Sequence, residues 1–315
     1  MSEAPSTTRI VDRYEPLLGT VVEVRVELLG TGCDEEADEL SETIAQEMLR
    51  LQSVLSSVDR TSEFARWCRG EIDEPSDDLR TVLALATRWQ DRSEGRFNPA
   101  AGLLTERWRR AETEGVEPGD EELRTLVAAI ERPRWSVVDG AIDRDVDATD
   151  CTLNALAKGW IADRGADLGS DTEGLWMVAV NAGGDVAVRG PGTLRVGIEN
   201  PATPHDTAPP LTVVELRDAG LATSGDARRW FDVAGTRHSH VLDPRTGRPV
   251  DAAASITVVA RTAADADALA TILGVLPGSD AIAEAARLGL ACLVVEHDGR
   301  TRTTDAWMEL ETDVS

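Results

Sequence analysis

The spacing of apolar residues changes along this chain, and that spacing constrains the possible fold more than any other feature. Residues 20–28 alternate between apolar and polar side chains, which is typical of a strand with one buried face. From 38 to 58 the apolar side chains recur every three or four positions, so a long amphipathic helix is expected there. Ser76 is a candidate N-cap for a second helix over 77–90. The same periodicity predicts further helices at 103–111, 120–131, 155–168, 263–275 and 279–288.

Short apolar or alternating segments dominate the second half of the chain and predict strands. They lie at 175–188, 194–198, 211–216, 238–242 and 254–259, and a final hairpin joins 291–295 to 300–304 through Asp298-Gly299. No strand pattern is followed by a glycine-rich turn and a helix, so a doubly wound nucleotide-binding fold is not expected. No stretch has the composition of a flexible interdomain linker. We therefore predict a loose tail over residues 1–13 and a single domain over 14–315.

The charge of the chain argues against several classes of partner. With 57 acidic and 32 basic residues, its formal net charge is −25, which opposes nonspecific binding to nucleic acid and docking on anionic lipid. No apolar run reaches the length of about 18 residues that a membrane span needs. The N-terminal segment lacks the apolar stretch of a signal peptide, so a cytoplasmic location is expected. The wide spacing of the cysteines argues against a zinc or redox site at Cys33, Cys68, Cys151 and Cys292.

Lys158 is the only lysine among the 32 basic residues, and it lies beside Gly159 in a segment with helical spacing. An ammonium group is a compact charge with rotatable donors, which suits phosphate oxygens. Because lysine is absent elsewhere, its presence here favours a site that needs an ammonium. A solvated helix residue is the alternative, and this feature alone does not decide between them.

Asp267 and Thr271 lie four residues apart on a predicted helix and therefore share one of its faces. Carboxylate and hydroxyl oxygens suit Mg²⁺, which keeps several waters and often bridges phosphates. Asp265 is either a neighbouring ligand or a first-turn charge favoured by the helix dipole. Since such pairs are common on helix surfaces, this one predicts a metal site only in combination with other motifs.

Two further stretches hold candidate site residues, and a third has the pattern of a turn. Thr223-Ser224-Gly225-Asp226 either lets backbone N–H groups approach a phosphate or forms an ordinary turn. His240 precedes the bend at Asp243-Pro244, and its imidazole is either a base near neutral pH or a structural histidine. Asn181-Ala182-Gly183-Gly184-Asp185 is predicted to be a hairpin turn.

Taken together and in order, these stretches resemble the ApbE-type FAD:protein FMN transferases. The resemblance covers most of the chain, and the motifs that carry it are Leu18-Gly19-Thr20, Ala155-Leu156-Ala157-Lys158-Gly159, Asn181–Asp185, Thr223–Asp226, Ser239-His240 through Thr246-Gly247, and Asp267-Ala268-Leu269-Ala270-Thr271. It implies an α+β fold of two intertwined α/β halves with mostly antiparallel sheets and FAD bound between the halves. It also implies Mg²⁺-dependent transfer of FMN from FAD to a Thr or Ser hydroxyl of a target flavoprotein, with release of AMP.

The resemblance also implies roles for individual residues. Asp267 and Thr271 look like Mg²⁺ ligands, joined by the backbone carbonyl of Ala155. Lys158 would act beside the bound FAD, and His240 would take the proton of the acceptor hydroxyl. The residues expected to bind FAD are Leu18, Arg96, Phe97, Asn98, Thr152, Lys158, Ser224, Gly225, Val241 and Leu242.

Four positions depart from the family pattern at the end of the site expected to hold the flavin ring. Leu18 replaces a methionine, and Val58 stands where an aromatic residue is common. Asn98 and Thr152 replace two aspartates. The residues of the metal and phosphate end are retained. Two alternatives to a transferase therefore stay open: a flavin-binding protein without turnover, and a Mg²⁺-dependent FAD pyrophosphatase that gives FMN and AMP.

Overall fold

The computed structural model of this chain describes residues 6–144, 148–203, 208–225, 230–250 and 253–313. A short 3₁₀ helix, Pro99–Ala101, precedes the fourth of the α-helices in these ranges. The α-helices are α1 (Asp34–Leu55), α2 (Glu63–Cys68), α3 (Asp77–Arg92), α4 (Gly102–Glu114), α5 (Asp120–Glu131), α6 (Ala157–Leu168), α7 (Ala263–Gly274), α8 (Gly278–Arg287) and α9 (Asp305–Met308). Within the described ranges, every helix is too short or too polar to cross a membrane.

The strands are short, apart from the first two, and most of them follow α6. They are β1 (Thr7–Leu17), β2 (Thr20–Leu29), β3 (Trp135–Val138), β4 (Ala141–Arg144), β5 (Leu175–Ala182), β6 (Asp185–Arg189), β7 (Leu194–Ile198), β8 (Thr212–Leu216), β9 (Gly220–Gly225), β10 (Trp230–Val233), β11 (Thr236–Ser239), β12 (Leu242–Asp243), β13 (Arg248–Pro249), β14 (Ser255–Ala260), β15 (Ala291–Val295), β16 (Thr301–Thr303) and β17 (Glu311–Thr312). Helices and strands thus alternate in blocks rather than in regular βαβ units.

One large antiparallel sheet organises the molecule. Its strands follow the order β1-β2-β5-β6-β9-β14-β15-β16. The register pairs Val22 with Ala182 between β2 and β5, and Val186 with Leu221 between β6 and β9. A smaller sheet has the order β17-β8-β7, and β3-β4, β10-β11 and β12-β13 form separate hairpins. The expected α+β fold with mostly antiparallel sheets is confirmed.

Both faces of the large sheet are covered by apolar side chains. On β5, Val178 and Val180 pack into one core with residues of α1 and α6, whereas Met177 and Ala179 pack into a second core with β7, β8 and α9. This alternation follows from the two-residue repeat of a strand. Because α6 and α7 are packed on the same sheet, their side chains can meet those at the ends of β5, β6 and β9.

Residues 7–13 belong to the folded domain, so the prediction of a loose tail over 1–13 was wrong for them. β1 pairs with β2 from Thr7 opposite Leu29 to Leu17 opposite Thr20. The solvent side of β1 carries Arg9 and Arg13, which interrupt the apolar pattern in the sequence. A strand that owes its stability to its neighbour is poorly predicted from its own composition.

Most predicted helices are confirmed, with shifted ends. The N-cap prediction for Ser76 is confirmed, since its side chain accepts a hydrogen bond from the Leu79 amide. α1 ends at Leu55 rather than 58 because Ser56 has an extended backbone, with ψ at 125°. The predicted strand segment over 175–188, which includes the hairpin turn expected at 181–185, corresponds to β5 and β6 with a turn between them. The sequence patterns did not predict α2 or the β3-β4 hairpin.

Candidate active site

Lys158, in the first turn of α6, forms an ion pair with Asp185, the first residue of β6. The distance between Lys158 Nζ and Asp185 Oδ2 is 2.6 Å. The side chain of Asp185 is 3% exposed, whereas that of Lys158 is 37% exposed. The ammonium group therefore reaches a buried carboxylate while part of the lysine side chain faces solvent.

The turn between β5 and β6 places Asp185 beside α6. Gly183 and Gly184 have φ angles of 65° and 103°, a region that favours glycine. The Gly184 amide donates a hydrogen bond to Asn181 Oδ1 at 2.9 Å. A Cβ at Gly183 would lie 2.7 Å from Thr20 Oγ1. The predicted hairpin turn is confirmed, and its first glycine allows the turn to pack against the start of β2.

Asp267, on α7, has a buried carboxylate oxygen without a hydrogen-bond partner. The residue is 9% exposed, and its Oδ2 has no partner among the described residues. Burial raises the pKa of Asp267 well above its usual value; the carboxylate of Asp185 raises it further, and Lys158 opposes both effects. Burial also raises the pKa of Asp185, against the influence of Lys158. Two buried carboxyl groups thus share the positive charge of one lysine, which favours binding of a further cation.

The residues around Asp267 fit a magnesium ion. Thr271 lies one helical turn beyond Asp267 on the same face of α7 and is partly exposed. Ala155 lies in the turn before α6, and among the described residues no backbone N–H is bonded to its carbonyl oxygen. Carboxylate, hydroxyl and carbonyl oxygens, completed by water, form a ligand set that Mg²⁺ prefers. Within the described ranges no cluster of three His, Cys, Asp or Glu offers another metal centre.

Asp265 has a different partner and a different role. Arg88 Nη2 donates to Asp265 Oδ1 at 2.7 Å, and the Asp265 amide donates to Thr262 Oγ1 at 3.1 Å. Thr262 is the N-cap of α7, so Asp265 lies in its first turn, where negative charge is favoured. Of the two alternatives for Asp265, the structure supports the first-turn charge.

Leu18 lies in the turn between β1 and β2, at the same end of the sheet as Asp185. Its φ angle is 55°, which is uncommon for a residue with a branched side chain, and Gly19 follows at 69°. The Leu18 amide donates to Gln52 Oε1 at 2.6 Å, which ties the turn to α1. Since Gly183 packs against Thr20, the two turns are neighbours. Leu18 is therefore near the cluster, and its contact with FAD stays a prediction.

The segment from Arg96 to Asn98 uses its side chains within the protein. Arg96 Nε donates to the Ser93 carbonyl at 2.8 Å, and Phe97 is 5% exposed within the main core. Asn98 Nδ2 donates to the Ile130 carbonyl, and its Oδ1 accepts from the Ala100 amide, both at 2.9 Å. Asn98 thus caps the 3₁₀ helix with both polar atoms engaged. The prediction that these three residues bind FAD stays untested.

Thr152 is joined to the same segment. Its amide donates to the Pro99 carbonyl at 2.8 Å, and its Oγ1 accepts from the Asn154 amide at 3.2 Å. The hydroxyl thereby stabilises the turn that carries Ala155. By contrast, Val58 is 83% exposed. Thr152 and Asn98 hence support backbone turns here, and the prediction that Thr152 binds FAD stays a prediction.

The end of α7 meets the remaining predicted residues. A Cβ at Gly274 would lie 3.5 Å from Ser224 Oγ and 4.0 Å from Val241 Cγ1. Ser224 and Gly225 end β9, while Asp226 lies outside the described residues. Half-buried His240 directly precedes Val241, and Leu242 is 9% exposed in β12. The structure therefore brings Ser224 and the 240–242 segment to the C-terminal end of the helix that carries Asp267 and Thr271.

Asp185 is the site residue that sequence reasoning missed. The motif that contains it was assigned only to a hairpin turn. A usable signal was present, because Asp185 opens a strand whose next three residues, 186–188, are apolar and buried. A carboxylate at such a position requires a partner, and the lone lysine of the chain supplies it.

The close approach of α6 and α7 gives a first testable prediction. A Cβ at Gly159 would lie 2.5 Å from the carbonyl oxygen of Ala263 and 2.8 Å from the Ala264 nitrogen. Gly159→Ala should therefore force the two helices apart and lower the free energy of unfolding by about 1–3 kcal/mol, as overpacking does. Urea unfolding measures the effect.

Gly165→Ala, in the same helix, is the matched control. Its added Cβ would meet side chains only, with Ile44 Cγ2 at 3.1 Å and Met48 Cγ at 3.4 Å. The helix propensity of alanine, which is better than that of glycine by about 1 kcal/mol, offsets this crowding. Equal decreases in the free energy of unfolding of the two variants would contradict the prediction that the α6–α7 backbone contact makes Gly159 necessary.

Comparison with known proteins gives matches over most of the chain. A family model described as the ApbE family matches residues 18–294. The FAD:protein FMN transferase of Vibrio cholerae serotype O1 is 30% identical over 276 residues, covering 82% of this chain and 81% of the relative. The protein of the same name from Escherichia coli K12 is 28% identical, covering 86% and 80%. The crystal structure of the ApbE protein of Thermotoga maritima is 25% identical with a TM-score of 0.79, covering 98% of this chain and 100% of that one.

Proposed function

Since the chain belongs to the ApbE family, we propose that it transfers FMN from FAD to a Thr or Ser hydroxyl of a target flavoprotein and releases AMP. Relatives from Vibrio cholerae and Escherichia coli are FAD:protein FMN transferases. The observation that carries the proposal is the cluster of Lys158 with the buried carboxyl groups of Asp185 and Asp267, in which Asp267 Oδ2 has no hydrogen-bond partner among the described residues. Such a cluster suits the pyrophosphate of FAD only when a cation is added, because the chain has a net charge of −25.

Asp267, Thr271 and the carbonyl of Ala155 would hold the Mg²⁺ ion. When bound, the ion neutralises phosphate oxygens and polarises the phosphoryl group, which is the main requirement of phosphoryl transfer. Lys158 adds a second positive charge from the start of α6. Asp185 holds the ammonium in place through the 2.6 Å ion pair. In this arrangement the protein stabilises charge that develops on the phosphate oxygens.

The transfer itself replaces the bridging anhydride oxygen of the pyrophosphate by the ester oxygen of the acceptor at phosphorus. The acceptor hydroxyl oxygen attacks the phosphorus of the FMN half of FAD, and a new P–O bond forms. The bond from that phosphorus to the bridging oxygen breaks, and AMP leaves with the bridging oxygen. His240, which follows β11 beside the end of α7, takes the proton of the acceptor hydroxyl.

The ring of FAD would lie toward Leu18, Phe97, Val241 and Leu242. The backbone near Arg96, Asn98 and Thr152 would border it, and Ser224-Gly225 would approach from the end of β9. A cytoplasmic location and a cytoplasmic acceptor, or the cytoplasmic face of a membrane acceptor, belong to the same proposal. Nucleic acid is not a partner in it.

Two structural observations favour a second candidate, a flavin-binding protein without turnover. Val58 is 83% exposed where a ring-stacking aromatic residue would be expected, and both polar side-chain atoms of Asn98 are engaged within the protein. A stacking contact contributes about 0.5–1.5 kcal/mol. Its loss would weaken FAD binding without removing any residue of the phosphate end.

Covalent labelling of an acceptor tests the proposed function. The chain is incubated with FAD, Mg²⁺ and a flavoprotein from the same genome, and the denatured acceptor is examined for flavin fluorescence and for the mass of an added FMN. A Thr→Val substitution at the labelled position of the acceptor is the control. Labelling that this substitution removes is expected. FMN and AMP without labelled acceptor would instead identify a pyrophosphatase, and bound FAD that stays intact would identify the binding protein.

A further inference from the structure

A second buried polar contact joins the same three elements that carry the charged cluster. Lys158 lies on α6, Asp185 on β6 and Asp267 on α7, and each of these elements also contributes to a contact around Asp163. Asp163 is five residues beyond Lys158 on α6, a rise of about 7.5 Å at 1.5 Å per residue. Two polar layers therefore cross the α6–β6–α7 interface, one at the proposed site and one behind it.

Asp163 binds the start of α7 with both carboxylate oxygens. Oδ1 accepts hydrogen bonds from the Ala263 amide and from Arg189 Nη2, and Oδ2 accepts one from the Ala264 amide, all at 2.9 Å. Asp163 is 5% exposed, so these bonds are shielded from water. An anion at a helix N-terminus is also favoured by the helix dipole. The side chain thus links α6, β6 and α7 at one point.

We infer that Asp163 is a positioning residue that fixes α7, and with it Asp267 and Thr271, relative to Lys158 and Asp185. The proposed metal site needs this alignment because its ligands come from α7 and from the turn directly before α6, so the inference rests in part on the proposed function. Asp267 follows Ala263 by about one helical turn. A displacement of Ala263 at the start of α7 therefore also displaces the carboxylate of Asp267. Gly159 and Gly220 both approach the backbone of Ala263, which leaves little freedom once Asp163 is bound.

Asp163→Asn is the informative substitution because it preserves shape. A carboxylate accepts at both oxygens, whereas a carboxamide places an NH₂ donor where one of the oxygens stood. In either orientation of the carboxamide that donor would face an amide of α7, Ala263 or Ala264, so at least one of the three bonds is lost. The start of α7 then moves, and the distance from Asp267 to Lys158 changes with it.

Asp167→Asn is the matched control. Asp167 Oδ1 accepts from Arg189 Nε at 2.7 Å, so the control weakens the same arginine's network on the same helix. Asp167 has no described hydrogen bond to α7, and its side chain is 42% exposed. A general loss of helix stability or of an Arg189 contact would affect both variants. Loss of the α7 contact affects only Asp163→Asn.

Two readouts test the inference on the full chain. The first is the affinity for Mn²⁺ without FAD, measured by electron paramagnetic resonance. Asp163→Asn should bind Mn²⁺ at least about tenfold more weakly than wild type, which is 1.4 kcal/mol. Asp167→Asn should bind Mn²⁺ with an affinity within twofold of wild type. The second is the ¹³Cε signal of labelled lysine, which reports Lys158 alone because it is the only lysine. This signal should shift in Asp163→Asn and not in Asp167→Asn.

The two readouts separate this inference from the proposed function. A wild-type chain that binds no Mn²⁺ would overturn the metal site, while the Lys158 signal would still decide the role of Asp163. A folded Asp163→Asn variant with wild-type Mn²⁺ affinity and an unchanged Lys158 signal would overturn the inference. If Asp163→Asn does not fold, Arg189→Gln takes its place, because it removes one hydrogen-bond partner of Asp163. Arg189→Gln should weaken Mn²⁺ binding two- to fivefold and shift the Lys158 signal. No change in either measurement would contradict the inference.

Discussion

Asp267→Asn should abolish cleavage of FAD and at the same time stabilise the metal-free protein. Activity is lost because the amide cannot supply the negative charge that holds the cation, and we expect AMP release to fall by at least about 10³-fold. Stability rises because Asp267 is buried, its Oδ2 has no hydrogen-bond partner among the described residues, and the carboxylate of Asp185 repels its charge. Removing that charge should increase the free energy of unfolding by about 1–3 kcal/mol. Chromatographic assay of AMP and urea unfolding in EDTA measure the two effects.

The pH dependence of the metal-free protein follows from the same carboxyl group. The pKa of Asp267 is raised in the folded state, so between its unfolded and folded pKa values the folded state binds more protons. The contribution of Asp267 to the free energy of unfolding is therefore fully present below its unfolded pKa, and it is lost as pH rises through its folded pKa. Wild type should lose stability with rising pH more steeply than Asp267→Asn, and Mg²⁺ should reduce the difference.

Asp265→Asn is the control for this prediction. Asp265 lies on the same helix and loses one carboxylate in the same way, but it pairs with Arg88 at the surface. We expect near wild-type AMP release and a change in stability of at most about 1 kcal/mol, which is typical of an exposed ion pair. Full activity in Asp267→Asn, or loss of activity in Asp265→Asn, would contradict the assignment of the metal ligand.

Lys158→Met should destabilise the protein and remove activity together. The substitution leaves Asp185, with its side chain 3% exposed, without the ammonium at 2.6 Å. Breaking a buried ion pair by removing one partner costs about 3–5 kcal/mol, and the 37% exposure of the Lys158 side chain reduces this to about 2–3 kcal/mol. Loss of the charge beside the phosphate should lower AMP release by at least about 10²-fold.

The double variant Lys158→Met with Asp185→Asn separates stability from function. It removes both charges, so most of the lost stability should return, while AMP release stays low. Lys158→Arg retains the charge but replaces a compact ammonium with a planar guanidinium, and we expect nearly wild-type stability with reduced activity. A Lys158→Met variant as stable as wild type would show that the ion pair with Asp185 does not hold this part of the structure together.

Local signals in the sequence predicted the features that depend on neighbouring residues. Gly183-Gly184 needs positive φ angles, which predicts a turn, and Ser76 caps α3 as its position before the apolar pattern suggests. Asp267 and Thr271 share a helix face because the helical repeat requires it. Such features depend on a few adjacent residues, so composition and spacing are sufficient to predict them.

Features that depend on distant residues were not accessible in the same way. The bonds from the α7 amides to Asp163 join residues 100 and 101 positions apart, and the Lys158–Asp185 pair spans 27 positions. Asn98 has the residue type of a ligand-binding group, yet its amide bonds to Ile130, 32 positions away. β1 was missed because its stability comes from pairing with β2. The family resemblance supplied the order of the motifs, whereas the structure supplied their contacts.

In the proposed function, the cluster of Lys158, Asp185 and Asp267 supports metal-dependent cleavage of FAD that is coupled to an acceptor hydroxyl. The most direct measurement is AMP release from FAD by the wild-type chain in Mg²⁺ and in EDTA, each with and without the acceptor flavoprotein. We predict AMP only when Mg²⁺ and acceptor are both present, in equal amount to the FMN bound covalently to the acceptor. AMP release that is unchanged in EDTA, or that is equally fast without acceptor, would contradict the claim.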